Sequence, residues 1–433
     1  MKPLYITLAL LMFSAQARCK DLPPESISIE KAVEIALKNN TSVIDSQYVS
    51  EIYDAQINEY KSYAYPSLTL SGGYTRNLKK QSFFMMGQKI DIGNDNAYTG
   101  TAQMDQVLWS GGKVKAGIKY AELLSQSGKF GSEIARKLVA RNVRQIGYSI
   151  IAASAAVTIE RETYDLAAMH RDEIKEKFEK GLASDVEVDR QEVEVSNHIP
   201  AVIQSENLVE TGLLTLNTLL GRDPQDPILI TDKVHDILGP EPDLDALYAA
   251  ALENRTEIKS AKLAVDLSET KVRLAKSDFF PQFYGFLNGG YNGQSNTMLP
   301  GAQEYSFSSA AGLTLNYPIF QSGRTQAQVK QADLAYQQKF ENYQDTIRKV
   351  KSEVKQAWLD YREAVRRVNS QKKSAEQARK VVTAYNVQYL QGLASQLELN
   401  DSTLALNKAQ LNYVTALRDA FTSLVEIKWA AGE

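Results

Sequence analysis

Hydrophobic and polar positions follow two different rhythms in this chain, and each rhythm occurs twice. From Arg324 to Gln391 there is neither glycine nor proline. Apolar side chains recur there at three- and four-residue steps: Ile347, Val350, Val354, Ala357, Tyr361, Ala364, Val368, Ala375, Ala378, Val382, Tyr385 and Tyr389. Such a stripe reads as a coiled-coil seam, interrupted only at Gln371. A continuous helix over this stretch would be about 100 Å long at ~1.5 Å per residue. An earlier seam runs through Val139, Val143, Ile146, Ile150, Ala153, Val157, Tyr164, Ala167, Ile174 and Phe178, weakened by Arg136, Glu160 and Arg171. Leu393 to Ala431 is also free of glycine and proline, whereas Pro200 is predicted to kink or locally break the helix after the first seam.

The second rhythm has a period of two. Leu68, Leu70 and Tyr74 alternate with Thr69 and Ser71, and Tyr98, Gly100, Ala102 and Met104 alternate with Thr99, Thr101, Gln103 and Asp105. Phe283 and Gly285 alternate less cleanly with Tyr284 and Phe286, and Leu313, Leu315 and Tyr317 with Gly312, Thr314 and Asn316. These segments predict four strands of about 10 to 12 residues, the length a tilted membrane-spanning strand needs. The stretches joining each pair, 78–96 and 292–305, are polar and read as loops. Four strands cannot close a barrel, so strands of this kind require several chains to satisfy their edges in lipid.

Both rhythms belong to one duplicated unit. FEKGLASDVEV at 178–188 returns as YLQGLASQLEL at 389–399; AVEIALKNNT at 32–41 returns as LYAAALENRT at 247–256; QVLWSGGKVKA at 106–116 parallels YPIFQSGRTQA at 317–327. Each half reads helix, strand, strand, long helix, tip, helix. The expected repeats are 18–230, with strands about 66–77 and 97–109 and a tip about 178–187, and 231–433, with strands about 281–291 and 306–320 and a tip about 389–398. At the tips, Gly181 and Gly392 can end a helix in the left-handed conformation. Ser184 with Glu187 and Ser395 with Glu398 have capping-box spacing for the next helix.

The N-terminus adds a compartment. Lys2, an apolar run from Leu4 to Phe13 and Ala15-Gln16-Ala17 predict a secretory signal peptide over residues 1–17. The lone cysteine, Cys19, precludes an intrachain disulfide, and Arg18 stands where a lipidation signal would place a small residue. Net charge is −3 with both signs mixed, so no basic field for nucleic acid exists. Three histidines (His170, His198 and His235) without paired helical spacing propose no metal site, and Gly111-Gly112-Lys113 lacks the other residues of a phosphate loop. No nucleophile–base set is readable. An enzyme is not expected, nor is a cofactor.

Taken in order, these features resemble the outer-membrane factors, the TolC-like outer membrane efflux proteins, over residues 26–426. The residues carrying the resemblance are the duplication, the strand pairs, Leu-Trp-Ser-Gly-Gly-Lys at 108–113, Ile-Phe-Gln-Ser-Gly-Arg at 319–324 and the two Gly-Leu-x-Ser tips. The resemblance implies a homotrimer, mainly helical, pooling four strands per chain into a twelve-stranded barrel in the outer membrane of a Gram-negative bacterium. A coiled-coil helical tunnel would continue it through the periplasm. It implies a periplasmic adaptor (membrane fusion) protein at the tips, formed here by Gly181, Leu182, Ala183, Ser184, Gly392, Leu393, Ala394 and Ser395. The adaptor would link the channel to an inner-membrane pump or ABC exporter, for export of small molecules or proteins. It also places a periplasmic gate at Tyr389, Glu398 and Asp401, although Ala394 stands at the family's gate arginine and Arg190 at the first-half equivalent of Asp401.

Two readings of the gate acids stay open at this level. Threefold crowding would raise the pKa of Glu398 and Asp401 and favour cations, whereas Glu398 also suits the capping box and Asp401 the helix dipole. Arg190 facing Asp401 in a closed state is a third expectation. The competing function is a non-channel periplasmic coiled-coil scaffold, distinguished by whether the strands enter a membrane.

Overall fold

Helix gives way to strand just after Pro66 and Pro281, and strand to helix through glycine turns. The computed structural model describes residues 25–232 and 239–433; the signal segment 1–17, Cys19 and His235 lie outside the described residues. In chain order the first half comprises β1 (Glu25–Ile27), α1 (Ile29–Asn39), α2 (Thr41–Ser62), β2 (Ser67–Arg76), β3 (Gln81–Met85), β4 (Gln88–Ile92), β5 (Asn96–Trp109), α3 (Lys113–Glu179) and α4 (Asp185–Leu219). After β6 (Ile228–Ile230) come α5 (Leu244–Asn254), α6 (Thr256–Ser277), β7 (Gln282–Ser295), β8 (Tyr305–Asn316), α7 (Arg324–Leu390) and α8 (Gln396–Ala431). A three-residue 3-10 turn, Ala302–Glu304, precedes β8.

The chain divides into two compact units. Among the described residues the first holds 25–41, 138–232, 239–241 and 357–427. Here the second-half seam buries Tyr361, Ala364 and Val368, the last two packing with Ala416, Leu417 and Ala420 of α8. Beyond Gln371 the seam residues Ala375, Ala378, Val382, Tyr385 and Tyr389 are only half-buried. In the first-half seam, Glu160 does not break the packing as the sequence suggests. It is buried, and Asn407 donates to its carboxylate at 3.2 Å and to Thr163 at 2.9 Å. A parallel two-stranded ribbon pairs β1 with β6, Ser26 opposite Leu229.

Three further expectations are corrected. α4 stays helical through Pro200, so the local break is not made; Ser196, whose carbonyl loses its helical donor there, is exposed, so water can replace the missing N–H. The leading helix of each half is two helices, divided at Asn40 and Arg255, whose ψ values of 128° and 114° are extended. The return strand expected to reach residue 320 stops at Asn316, because Pro318 has no N–H to continue the ladder.

The second unit holds residues 42–137, 242–356 and 428–433. Its sheet has the order β2-β5-β7-β8, every neighbouring pair antiparallel. Strand-to-helix turns explain the glycine motifs. Gly111 and Gly112 have φ of 60° and 84° before α3, and a Cβ on Gly111 would lie 2.5 Å from Phe280 Cβ. The second half places Ser322 (φ 50°) and Gly323 (φ 81°) there. The loop 78–96 contains an unforeseen hairpin, β3 against β4, turning at Met86 and Gly87 with φ of 51° and 80°, as a type I′ turn requires. No described helix is long and apolar enough to cross a membrane.

Candidate functional site

The register separates the sheet into two chemically distinct faces. Leu68 pairs with Met104, Met104 with Leu287, and Leu287 with Ala311, so these four residues share a face. The same parity adds Leu70, Tyr74, Tyr98, Ala102, Phe283, Tyr291, Tyr305, Phe307, Leu313 and Leu315. Apart from half-buried Tyr98, the large residues here are exposed in the single chain, Leu70 by 83% and Leu313 by 76%. The opposite face carries Ser67, Thr69, Ser71, Thr99, Thr101, Gln103, Asp105, Asn288, Asn292, Ser306, Ser308 and Thr314. Aromatic pairs mark the loop end of the apolar face: Tyr74 and Tyr98 with centroids 4.9 Å apart, Tyr291 and Phe307 at 5.0 Å. At the helical end Trp109 packs on Phe280 and Phe283 at 6.2 and 5.9 Å. An apolar band between aromatic girdles, backed by a polar face, is the surface of a membrane barrel wall. Both outer strands, β2 and β8, have one edge without a partner strand among the described residues.

The tips form as their sequences dictate. Gly181 (φ 75°) donates to Phe178 at 2.9 Å and Leu182 to Lys177 at 2.8 Å; Gly392 (φ 74°) and Leu393 repeat this with Tyr389 at 3.0 Å and Gln388 at 2.8 Å. These are Schellman closures. Reciprocal capping bonds then start the next helix. Ser184 N–H donates to Glu187 at 2.7 Å and Glu187 N–H to Ser184 Oγ at 3.4 Å; the Ser395–Glu398 distances are 2.8 and 3.3 Å. Leu182 and Leu393 stand 76% and 75% exposed, and Gly181, Ser184, Gly392 and Ser395 are exposed with Ala183 and Ala394 half-buried.

The expected gate residues are not brought together within one chain. Tyr389 accepts a hydrogen bond from Lys177 Nζ at 3.2 Å, and its ring lies 6.4 Å from that of buried His170. Glu398 faces its own Ser395, whose backbone N–H and hydroxyl hold the carboxyl below its ordinary value; Ser184 does the same for Glu187. Within the chain, then, the capping role of Glu398 is the one made. Asp401 and Arg190 are exposed, and no hydrogen bond or ion pair joins them among the described residues. Sequence reasoning missed the Lys177–Tyr389 contact, whose only signal was that 177 and 389 flank the two tips.

A family model described as outer membrane efflux protein matches residues 32–222 and 247–433. The outer membrane protein TolC of Escherichia coli (strain K12) is 20% identical over 440 residues, covering 99% of this chain and 86% of that protein. TolC of Vibrio cholerae serotype O1 is 21% identical over 265 residues, and the match spans 60% of each protein. The crystal structure of the CmeC outer membrane channel of Campylobacter jejuni superposes with a TM-score of 0.79 at 19% identity, covering 93% of this chain and 85% of that one.

Proposed function

We infer the function from one premise: the chain belongs to the outer membrane efflux protein family. It is an outer-membrane channel protein, the outer component of a tripartite efflux or secretion system. The finer reading is a homotrimer. Three copies of β2-β5-β7-β8 would join edge to edge into one twelve-stranded barrel with the Leu68–Leu313 face in lipid and the Thr99–Asp105 face on water.

The observation that carries this reading is the two-faced sheet with two unpaired edges. In hydrocarbon every backbone donor and acceptor needs a partner, so an open sheet of this polarity demands closure by further copies. A periplasmic coiled-coil scaffold has no use for such a face.

The two repeats, 18–230 and 231–433, would each supply two strands and one helical tip. Exposed Leu182 and Leu393 make the tips suitable for a periplasmic adaptor, and through it for an inner-membrane pump or ABC exporter. Tyr389, Glu398 and Asp401 would line the periplasmic gate, the acids meeting their copies only in the trimer. The chain does no chemistry of its own; its partners supply the energy.

The test is single-channel recording of detergent-purified protein in a planar bilayer, with its mass measured in the same detergent. Discrete conductance steps from a particle of three chains support the reading. Protein that stays soluble without detergent and never inserts would overturn it in favour of the scaffold.

A further inference from the structure

The helical end of the sheet borders a half-open recess of about 520 Å³, within the range of small-molecule sites. Tyr60 and Tyr63 of α2, Val107 of β5 and Tyr284 of β7 line it, with Lys113 and Asp278 beside them. Val107 and Tyr284 pair in the register and belong to the polar face. The recess therefore sits on the side of the sheet that the channel reading assigns to the pore. It lies under β5 and β7, the two inner strands, away from the β2 and β8 edges where further copies would join.

Its chemistry is aromatic and short of free charge. Tyr60 and Tyr63 meet edge-on at 6.1 Å, and Gly117 admits the Tyr60 ring: a Cβ there would lie 3.0 Å from Tyr60 Cδ1. Lys113 is bonded to Asp278 at 2.8 Å, so the pair offers no net charge to a ligand. One same-face step above Val107, about 7 Å along the strand, stands Asp105. Along the polar faces of the four strands it is the one charged residue. Gln103 Nε2 lies 2.9 Å from each of its carboxylate oxygens, which fixes the group in place. The same aromatic layer already holds a cation nearby: Lys271 Nζ is 5.4 Å from the centroid of Tyr120, whose ring is 6.4 Å from that of Tyr60.

We propose that this recess is a binding station in the pore wall for amphipathic organic cations, with the apolar body between the tyrosines and the positive charge toward Asp105. Ring faces attract cations and disfavour anions, and the one charge on the polar faces of the strands, Asp105, has the matching sign. A solute of this class would pause at the base of the barrel on its way out. The inference rests on the channel reading.

Tetraphenylphosphonium is the probe and tetraphenylborate its anionic isostere, each added to both chambers of a planar bilayer holding the wild-type channel. Tetraphenylphosphonium should interrupt the current and tetraphenylborate should not. Tyr284→Ala should raise the half-blocking concentration roughly tenfold, while Tyr284→Phe, which keeps the ring, should leave it within about twofold. Asp105→Asn, a same-shape change at a half-exposed site, should raise it roughly fivefold in ~0.1 M salt and much less in ~1 M salt, where the Debye length shrinks to about 3 Å. If Tyr284→Ala does not insert, Asp105→Asn decides alone. Block of equal strength by both ions, block unchanged in Asp105→Asn, or block abolished by Glu398→Gln/Asp401→Asn at the tip would each overturn the station. Conductance without any block overturns the station and leaves the channel; absence of conductance from wild-type protein overturns both.

Discussion

Gly221 lies directly against Asn39: a Cβ on the glycine would stand 2.6 Å from the Asn39 carbonyl oxygen. The second half repeats the arrangement, with a Cβ on Gly432 2.9 Å from the Asn254 carbonyl carbon. Both glycines have positive φ, 67° and 92°, and both close a returning helix by a Schellman pattern onto the break between two leading helices. The side chains at the two breaks differ but do one job. Asn40 donates to Leu219 O at 2.9 Å, and Arg255 reaches Trp429 O and Ala430 O at 3.5 Å.

Substituting these glycines tests the duplicated joint. Gly221→Ala and Gly432→Ala combine a left-handed backbone penalty with a backbone clash and should each destabilise by about 2–4 kcal/mol. Gly131→Ala, on an open helical surface with nothing within 4 Å, should stabilise by roughly 0.5–1 kcal/mol. Thermal unfolding in detergent reads all three, and equal melting temperatures would refute the joint.

Acid should loosen the tips. The folded-state pKa of Glu398 and Glu187 lies below the ordinary value, because Ser395 and Ser184 donate to the ionised form. Their stabilisation is therefore complete above the ordinary glutamate value and is lost as pH falls through the lower, folded-state one. Hydrogen exchange of the Val188 and Leu399 amides, expressed as protection factors, should show this loss. Glu187→Gln/Glu398→Gln should flatten it. If protection instead falls as pH rises, like-charge crowding between copies, as the trimeric reading expects, dominates and the capping role is secondary.

Lipid exposure of one sheet face predicts an asymmetry between neighbouring residues. Leu70→Arg should impair insertion into liposomes by about 2–4 kcal/mol, whereas Thr69→Arg, one residue away on the polar face, should insert nearly as wild type. Similar folding yields for the two would remove the basis for assigning the faces.

The bond from Lys177 to Tyr389 offers a test of the gate. Lys177→Met removes a hydrogen bond worth about 1 kcal/mol, so the channel should open roughly fivefold more often if Tyr389 belongs to the closure. Unaltered gating would make the contact purely structural.

Much of this architecture could be read before the fold was known, because its signals are local. Alternation fixed which strand residues share a face, down to Leu68 with Leu70 and Thr69 with Ser71, and the spacing of Gly181, Ser184 and Glu187 specified a complete turn. What escaped depends on partners distant in sequence. Glu160 looked like a defect in its seam because Asn407 lies 247 residues away. The helix breaks at Asn40 and Arg255 have no proline or glycine to announce them; their stabilisation comes from carbonyls at the ends of α4 and α8. The β3–β4 hairpin turns on Met86, a residue without turn preference.

The two free sheet edges have a genetic consequence. On the trimeric reading a single chain cannot finish folding in the membrane, so the last step of folding and the first step of assembly are one event. Chains from two alleles would then be sorted into barrels before either has been tested for function. A substitution that leaves β2 and β8 able to pair but blocks the tunnel would poison barrels it shares with intact copies and behave as dominant. One that ruins an edge would be left out and behave as recessive.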